Sequence, residues 1–343
     1  MELEDHKKTP IVIYRLGSLG DTVVALPCFH KISESFPNRE KIVLTNIPIS
    51  SKAAAIESIL SPSTLIDRVI EYPLKIRSLL GIFRLRKKLL ETKSTTLIYL
   101  NASRGRLKVF RDICFFRFCG FTEIIGAPTN SDLLNCRVDA ATGLIEPEAK
   151  RLIRNMSALG DINPEDIKNW DLLLSTHERE IAISKLSSLN DLSFFAINMG
   201  GKHISKDWGN KNWSELVSKL ALIYPLLGLV VVGVREDAER AEQVLKLWPN
   251  LKINFCGIIN PRECAAVLEK SLFFIGHDSG PLHLAAAVNV KCIGLFGKLN
   301  KPKRWHPLGS NHQILHSVKG VQMISVQTVV MAVLKVISGN RSL

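Results

Sequence analysis

Short apolar runs recur along the chain, separated by polar turns and by longer stretches in which apolar positions return every three or four residues. Ile11–Arg15 reads IVIYR, and similar runs follow at Lys41–Thr45, Arg68–Tyr72, Thr96–Leu100 and Glu123–Gly126. The spacing predicts helices between them, one from about Asp21 to Phe36, ending before Pro37, and one near Pro147–Leu159. The second half repeats the grammar. Strands are expected at Phe194–Asn198, Leu229–Val234, Lys252–Phe255, Ser271–Ile275 and Lys291–Phe296. Helices fit Trp213–Tyr224, Asp237–Leu247, Arg262–Lys270 and about Ser325–Ile337. Strands alternating with helices predict an α/β chain of βαβ units with mainly parallel sheets.

At 343 residues the chain is long for one core, so two domains are expected. The polar, proline-containing segment Gly160–Trp170 places the boundary, giving domains over 1–170 and 171–324. The last helix, within 325–343, is expected to cross back onto the first domain. Two such domains facing each other would make a cleft, and ligands of open α/β sheets sit beyond the carboxyl ends of the strands.

Composition adds two constraints. The formal net charge of +13 argues for anionic partners. It does not argue for nucleic acid, because no reader motif or aromatic-rich basic strand surface accompanies it. Seven cysteines form no CxxC pair and no metal-ligand spacing, and most lie in apolar runs, as buried thiols do in a reducing compartment. The first ten residues are polar, no signal-peptide core follows, and the longest apolar stretch, Leu220–Val234, is broken by Pro225 and Gly228. A cytoplasmic location is expected.

Four stretches could carry chemistry. In Phe273–Gly297 an apolar run leads to His277-Asp278-Ser279-Gly280, then to Pro281 at a helix start. Free N–H groups and the helix dipole there favour a phosphate, although a capped core helix fits the same spacing. In Arg15–Asp21 two glycines, Gly17 and Gly20, flank Ser18 and Leu19 at a strand-to-helix turn. Asp21 there is either a helix-capping carboxylate or a base for an attacking hydroxyl. Neither GxGxxG nor GxxxxGK[ST] occurs. After Asn198, the pair Gly200-Gly201 followed by Lys202 and Lys206 suits a phosphate loop or a solvated surface loop. Glu236 and Asp237 follow Gly233, placed for ribose hydroxyls or for a helix N-terminus.

Between Arg77 and Arg117 eleven Lys or Arg face two acids, and Leu79, Leu80, Phe83, Leu89 and Leu90 give the Arg77–Glu91 helix an apolar stripe. That face suits an anionic lipid surface, a phosphorylated acceptor or plain solvent. A serine hydrolase is excluded: His277, Asp278 and Ser279 are sequence neighbours, and no G-x-S-x-G elbow occurs. His283, by pattern alone, packs within its helix.

Together three blocks resemble glycosyltransferase family 9, the ADP-heptose:lipopolysaccharide heptosyltransferases. Arg15–Asp21 with Ala25-Leu26-Pro27 is similar to the family's first signature. Lys206-Asp207-Trp208 with Asn212–Leu216 is similar to its K-x-W block. Asp278–Ala287 is similar to its D-[ST]-G-x-x-H-L-x-A-A block, the most specific of the three. The resemblance implies a GT-B architecture of two Rossmann-like doubly wound domains, acceptor on the first and nucleotide sugar on the second, with inverting transfer that needs no metal or cofactor. It implies Asp21 as general base and Lys206 as the diphosphate contact. Glu236 is then near the ribose, and Asp278, Ser279 and Gly280 form the loop over the donor. Gly200, Gly201 and His283 complete the expected donor set. Gly17, Ser18, Gly20, Arg84, Arg86, Lys88, Arg104 and Arg106 make up the expected acceptor side. The partners implied are a nucleotide-diphosphate sugar and an anionic glycan or glycolipid, with peripheral contact at the inner-membrane face.

Two departures bear on the donor: Lys298-Leu299 stand where the family usually has Pro-Thr, and Met-Gly-Gly replaces the usual Pro-Gly. The alternative reading is a nucleotide-sugar-binding protein that has lost transfer.

Overall fold

In a computed structural model, residues 9–46, 54–73, 79–201, 203–309 and 312–338 are described. They form two compact units, one ending at Trp170 and the other starting at Asp171.

The first unit holds a five-stranded sheet of β1 (Ile11–Tyr14), β2 (Lys41–Thr45), β3 (Arg68–Glu71), β4 (Thr96–Tyr99) and β5 (Glu123–Ile125), in the order β3-β2-β1-β4-β5. Every pairing is parallel, with Ile11 beside both Lys41 and Thr96. Its principal helices are α1 (Leu19–Val24), α2 (Leu26–Ser35), α3 (Leu79–Glu91), α4 (Arg106–Phe118) and α5 (Glu148–Asn155). The single helix expected from Asp21 to Phe36 is two, parted at Ala25. Pro27 sits in the first turn of α2, where a missing N–H is harmless, but its ring opposes continuation of the preceding helix. Leu85 and Leu89 of α3 and Val109 and Phe116 of α4 pack with Val12, Tyr14, Leu44 and Tyr99 in one core.

The second unit holds β6 (Phe194–Asn198), β7 (Gly228–Val231), β8 (Lys252–Asn254), β9 (Phe274–His277), β10 (Cys292–Phe296) and β11 (Gln313–His316), in the order β11-β10-β9-β6-β7-β8. All its pairings are parallel too. Its helices are α6 (Thr176–Leu186), α7 (Asn210–Ile223), α8 (Ala238–Leu245), α9 (Pro261–Glu269), α10 (Gly280–Ala287) and α11 (Val326–Ser338). The strand expected at Ser271–Ile275 lies further on and takes in His277. The imidazole is fully buried because its Nε2 accepts the Trp208 N–H at 3.1 Å, so its polarity is satisfied inside the sheet. The edge strand β11 has no counterpart among the expected strands.

The last helix was expected to cross to the first domain. Its valines, Val326, Val329, Val330, Val333 and Val336, are buried in the second unit's own core with Leu216, Leu220 and Leu295. That packing makes α11 part of the second unit.

Both sheets reverse strand order at one point, β1/β4 in the first and β6/β9 in the second. In open parallel sheets the loops leaving such a pair diverge to opposite faces and leave a crevice at the strand carboxyl ends.

Candidate active site

One loop cluster lies at each reversal point. In the first unit the chain leaving β1 is held by three side chains. Asn101 Oδ1 accepts from Leu16 N at 2.6 Å, and Asn46 Oδ1 from Gly17 N at 2.8 Å. The fully buried Arg15 guanidinium donates to the Leu100 carbonyl at 2.9 Å and to the Asp21 carbonyl. Below it a second buried arginine, Arg151, pairs with Glu148 and donates to the Asn101 carbonyl at 2.8 Å.

This frame presents Asp21 in the first turn of α1. Its Oδ2 accepts the Ser18 N–H at 2.9 Å and the Ser18 hydroxyl at 3.2 Å. The cap position belongs to Ser18, and Asp21 reciprocates from three residues on. Oδ1 takes no hydrogen bond among the described residues and the side chain is only half-buried. One oxygen therefore fixes the carboxylate while the other stays open to accept a proton. Gly17 is required here: at φ +148° a Cβ would stand 2.5 Å from the Asp21 Cβ. Gly20 follows as the second residue of α1.

The expected acceptor arginines do not form one group. Arg104 donates from Nη1 to the Tyr14 hydroxyl at 2.7 Å and to Asp112 at 3.1 Å, while Tyr99 donates to the same Asp112 oxygen at 2.9 Å. Arg104 is thus tied to the carboxyl end of β1 and β4. Arg84 and Lys88 are exposed on α3, and Arg106 is exposed at the start of α4. Arg86 donates to the Phe118 carbonyl at 3.0 Å and lies over the Phe118 ring. Arg77 is outside the described residues.

In the second unit the loops after β6 and β9 meet. Lys206 Nζ is 2.7 Å from Asp278 Oδ2 and donates to the Asp278 carbonyl at 3.0 Å. Asn300 donates to the same carboxylate oxygen. Ser279 is the N-cap of α10, and its hydroxyl donates to Asn198 Oδ1 at 2.9 Å. Gly280 and Pro281 open α10 with no side-chain hydrogen bond capping its first turn, and His283 is buried within that helix. An ammonium and a helix N-terminus thus converge on one spot, which is how proteins make an anion site without a metal. Among the described residues no group of three or more His, Cys, Asp or Glu is placed to hold a metal ion.

Lys206 is held from behind. Arg240 of α8 forks onto both oxygens of Asp207 at 2.8 Å and reaches the Met199 carbonyl at 3.3 Å. Burial pushes the Asp207 carboxyl up. Hydrogen bonds from Arg240 and Gly209 more than reverse this and hold it below the ordinary carboxylate range. Burial lowers His277 to about 4, so it is neutral at physiological pH and can accept from Trp208.

Of the acidic pair after β7, Glu236 is exposed in the turn Arg235–Asp237. Asp237 accepts from Val234 N at 3.2 Å, and its carboxylate fills the space a Cβ at Gly200 or Gly233 would occupy. Gly200 is therefore needed for Asp237; at Gly201 a Cβ would meet nothing closer than 3.7 Å. Sequence reasoning missed Asn46, Asn101, Asn198, Arg240 and Asn300. Nothing in the linear pattern signals them, since each works through a contact distant in sequence.

The profile of glycosyltransferase family 9 (heptosyltransferase) matches residues 83–330. A search of curated proteins returns no match. Among solved structures, a family 9 glycosyl transferase from Veillonella parvula DSM 2008 is 17% identical, with TM-score 0.73 over 96% of this chain and 98% of that one. The E. coli ADP-heptose lps heptosyltransferase II is 16% identical, with TM-score 0.69 over 97% and 100%. The E. coli heptosyltransferase WaaC with ADP-2-deoxy-2-fluoro heptose is 15% identical, with TM-score 0.65 over 95% and 99%.

Proposed function

The chain belongs to glycosyltransferase family 9 and is a glycosyltransferase of two Rossmann-like units, and from that premise we propose a specific reaction for it. It moves a heptose or related sugar from a nucleotide-diphosphate donor, ADP-heptose by preference, to a lipopolysaccharide-core or related anionic glycan acceptor. The donor assignment is supported by the ADP-2-deoxy-2-fluoro heptose named for the E. coli WaaC structure. A cytoplasmic location agrees with seven cysteines of which none is in a disulfide.

The transfer is a single displacement with inversion. The acceptor hydroxyl attacks the anomeric carbon, the bond to the diphosphate oxygen breaks, and the hydroxyl proton passes to Asp21. Charge grows on the leaving diphosphate as the sugar becomes oxocarbenium-like. That charge needs fixed positive partners in place beforehand, and no metal is required if Lys206 and the N–H groups of α10 supply them. The observation that carries this reading is the meeting of Lys206 with the start of α10 at Asp278 and Ser279. A phosphate arriving there competes with Asp278 for the ammonium, while Asn300 keeps the carboxylate partnered. On the acceptor side, Asp21 keeps one oxygen open, and Arg104, tied to the carboxyl end of β1 and β4, offers a cation to an anionic acceptor.

Calorimetric titration with ADP tests the anion site. Lys206→Ala should weaken ADP at least tenfold, the loss of one charge-assisted contact of about 1.5–3 kcal/mol. Unchanged affinity in a folded variant would contradict the assignment.

A further inference from the structure

Helix α4 is apolar on two opposite sides. Val109, Phe116 and the paired Asp112 face the core. Leu107, Phe110, Cys114 and Phe118 recur at intervals of three and four on the other side, where a helix of 3.6 residues per turn lines them up. Leu107 is 86% exposed, Phe110 67% and Phe118 48%. Helix α3 does the same: it buries Leu85 and Leu89, yet leaves Leu79 74% and Phe83 54% exposed. The two stripes join where the Phe83 ring meets Phe118 edge-on at 6.2 Å. No fold requirement explains seven large apolar residues (Leu79, Leu80, Phe83, Leu90, Leu107, Phe110 and Phe118) facing water on two adjoining helices.

The polar residues around them are almost all cationic. Arg84, Arg86, Lys87 and Lys88 lie on α3, and Arg106, Lys108, Arg111 and Arg117 on α4, against the acids Glu91 and Asp112. Asp112 is buried and already paired with Arg104 and Arg111. A second copy of this chain would bring eight cations against eight, so self-association through this face is opposed by charge. A bilayer with anionic headgroups complements both features: its phosphates meet the cations and its acyl boundary takes the leucines and phenylalanines.

We propose that the joined outer faces of α3 and α4 form a docking surface for an anionic phospholipid bilayer. The surface goes beyond the transferase reading, because it concerns lipid that is neither donor nor acceptor. It holds the enzyme at the membrane whether or not sugar is being transferred, and no described helix is long and apolar enough to cross a membrane.

The test uses the full chain without substrates, so its failure leaves the transfer chemistry untouched. Co-sedimentation with vesicles of phosphatidylcholine alone and of phosphatidylcholine with a quarter phosphatidylglycerol should show at least tenfold tighter binding to the anionic set. Raising salt should weaken it. Leu107→Ser/Phe110→Ser removes two solvent-facing side chains and should lose at least tenfold in vesicle affinity while the melting temperature holds. Cys114 is the one exposed thiol, so an environment-sensitive label there should shift to the blue with anionic vesicles. Equal binding to both vesicle types, an unshifted label, or wild-type binding by the double variant would each overturn the proposal. So would a dimer in lipid-free solution that the double variant dissociates, since the face would then belong to a second copy.

Discussion

Replacing Arg240 by methionine tests whether the anion-binding lysine is held in place from behind. The guanidinium makes two 2.8 Å bonds to Asp207, the residue after Lys206. The side chains are 18% and 26% exposed, between a surface pair and a buried one. Breaking one side of a buried pair costs about 3–5 kcal/mol, and exposed pairs are worth about 0–1. Arg240→Met should therefore destabilise by about 2 kcal/mol, roughly 4–8 °C in melting temperature for a domain of this size. Freed of the fork, the loop carrying Lys206 samples more positions, and ADP affinity should fall about tenfold, or about 1.4 kcal/mol. Arg240→Lys keeps the charge but not the two-pronged geometry and should lie between. The assay is ADP calorimetry alongside thermal melts for all three proteins. Asp207 has its folded pKa depressed, so the pair's contribution is present above the unfolded carboxyl value near ~4 and is lost as pH falls through the folded one. The stability gap between wild type and Arg240→Met should accordingly shrink in acid. If Arg240→Met melts early but binds ADP within twofold of wild type, the pair supports only the fold and the positioning argument is wrong.

Two further outcomes follow from named contacts. Burial pushes Glu178 up, but hydrogen bonds from Arg262 and Ser175 outweigh it and hold the carboxyl at about 2. Its contribution is intact above the unfolded value near ~4.3 and disappears as pH falls toward 2. Acid titration of stability should therefore flatten over that window in Arg262→Met; an unchanged acid slope would refute the shift. Gly17→Ala should cut transfer more than tenfold by displacing Asp21 while leaving ADP affinity, a property of the second unit, unaltered. Wild-type turnover would show that the turn adapts.

The parallel sheets were legible because the buried strands β1, β2, β4, β6, β7, β9 and β10 read as apolar runs. The more exposed β3, β5 and β8 showed through shorter ones, which leaves one exception among the described strands. The exception, β11, is a half-buried edge strand carrying Gln313 and His316, and its composition does not differ from a loop. The β9 boundary failed because Gly276 and His277 look like loop residues until Trp208, nearly seventy positions away, supplies the partner that lets the imidazole be buried. Helix α3 was legible as a helix, but a stripe does not say which way it faces. Leu79, Leu80, Phe83 and Leu90 turned outward because Leu85 and Leu89 meet the sheet. Of the candidate site, Asp21, Lys206 and the Asp278–Gly280 turn are proposed from the sequence because their neighbours carry the signal. Asn101, Asn198 and Arg240 could not be, since each acts across the fold on a backbone N–H or a side chain far away in the chain.

The central claim is that a carboxylate on the first unit accepts the acceptor's proton while the second unit holds the diphosphate. The most direct test is the single-turnover rate of ADP release from ADP-heptose, with a heptose-accepting glycolipid, by Asp21→Asn. The amide keeps the Ser18 hydrogen bond to its oxygen but cannot take a proton. The account predicts a rate at least a thousandfold lower, within the range of about 10²–10⁴ that general-base catalysis supplies, with ADP affinity within twofold of wild type. An Asp21→Asn enzyme that turns over at the wild-type rate would contradict it.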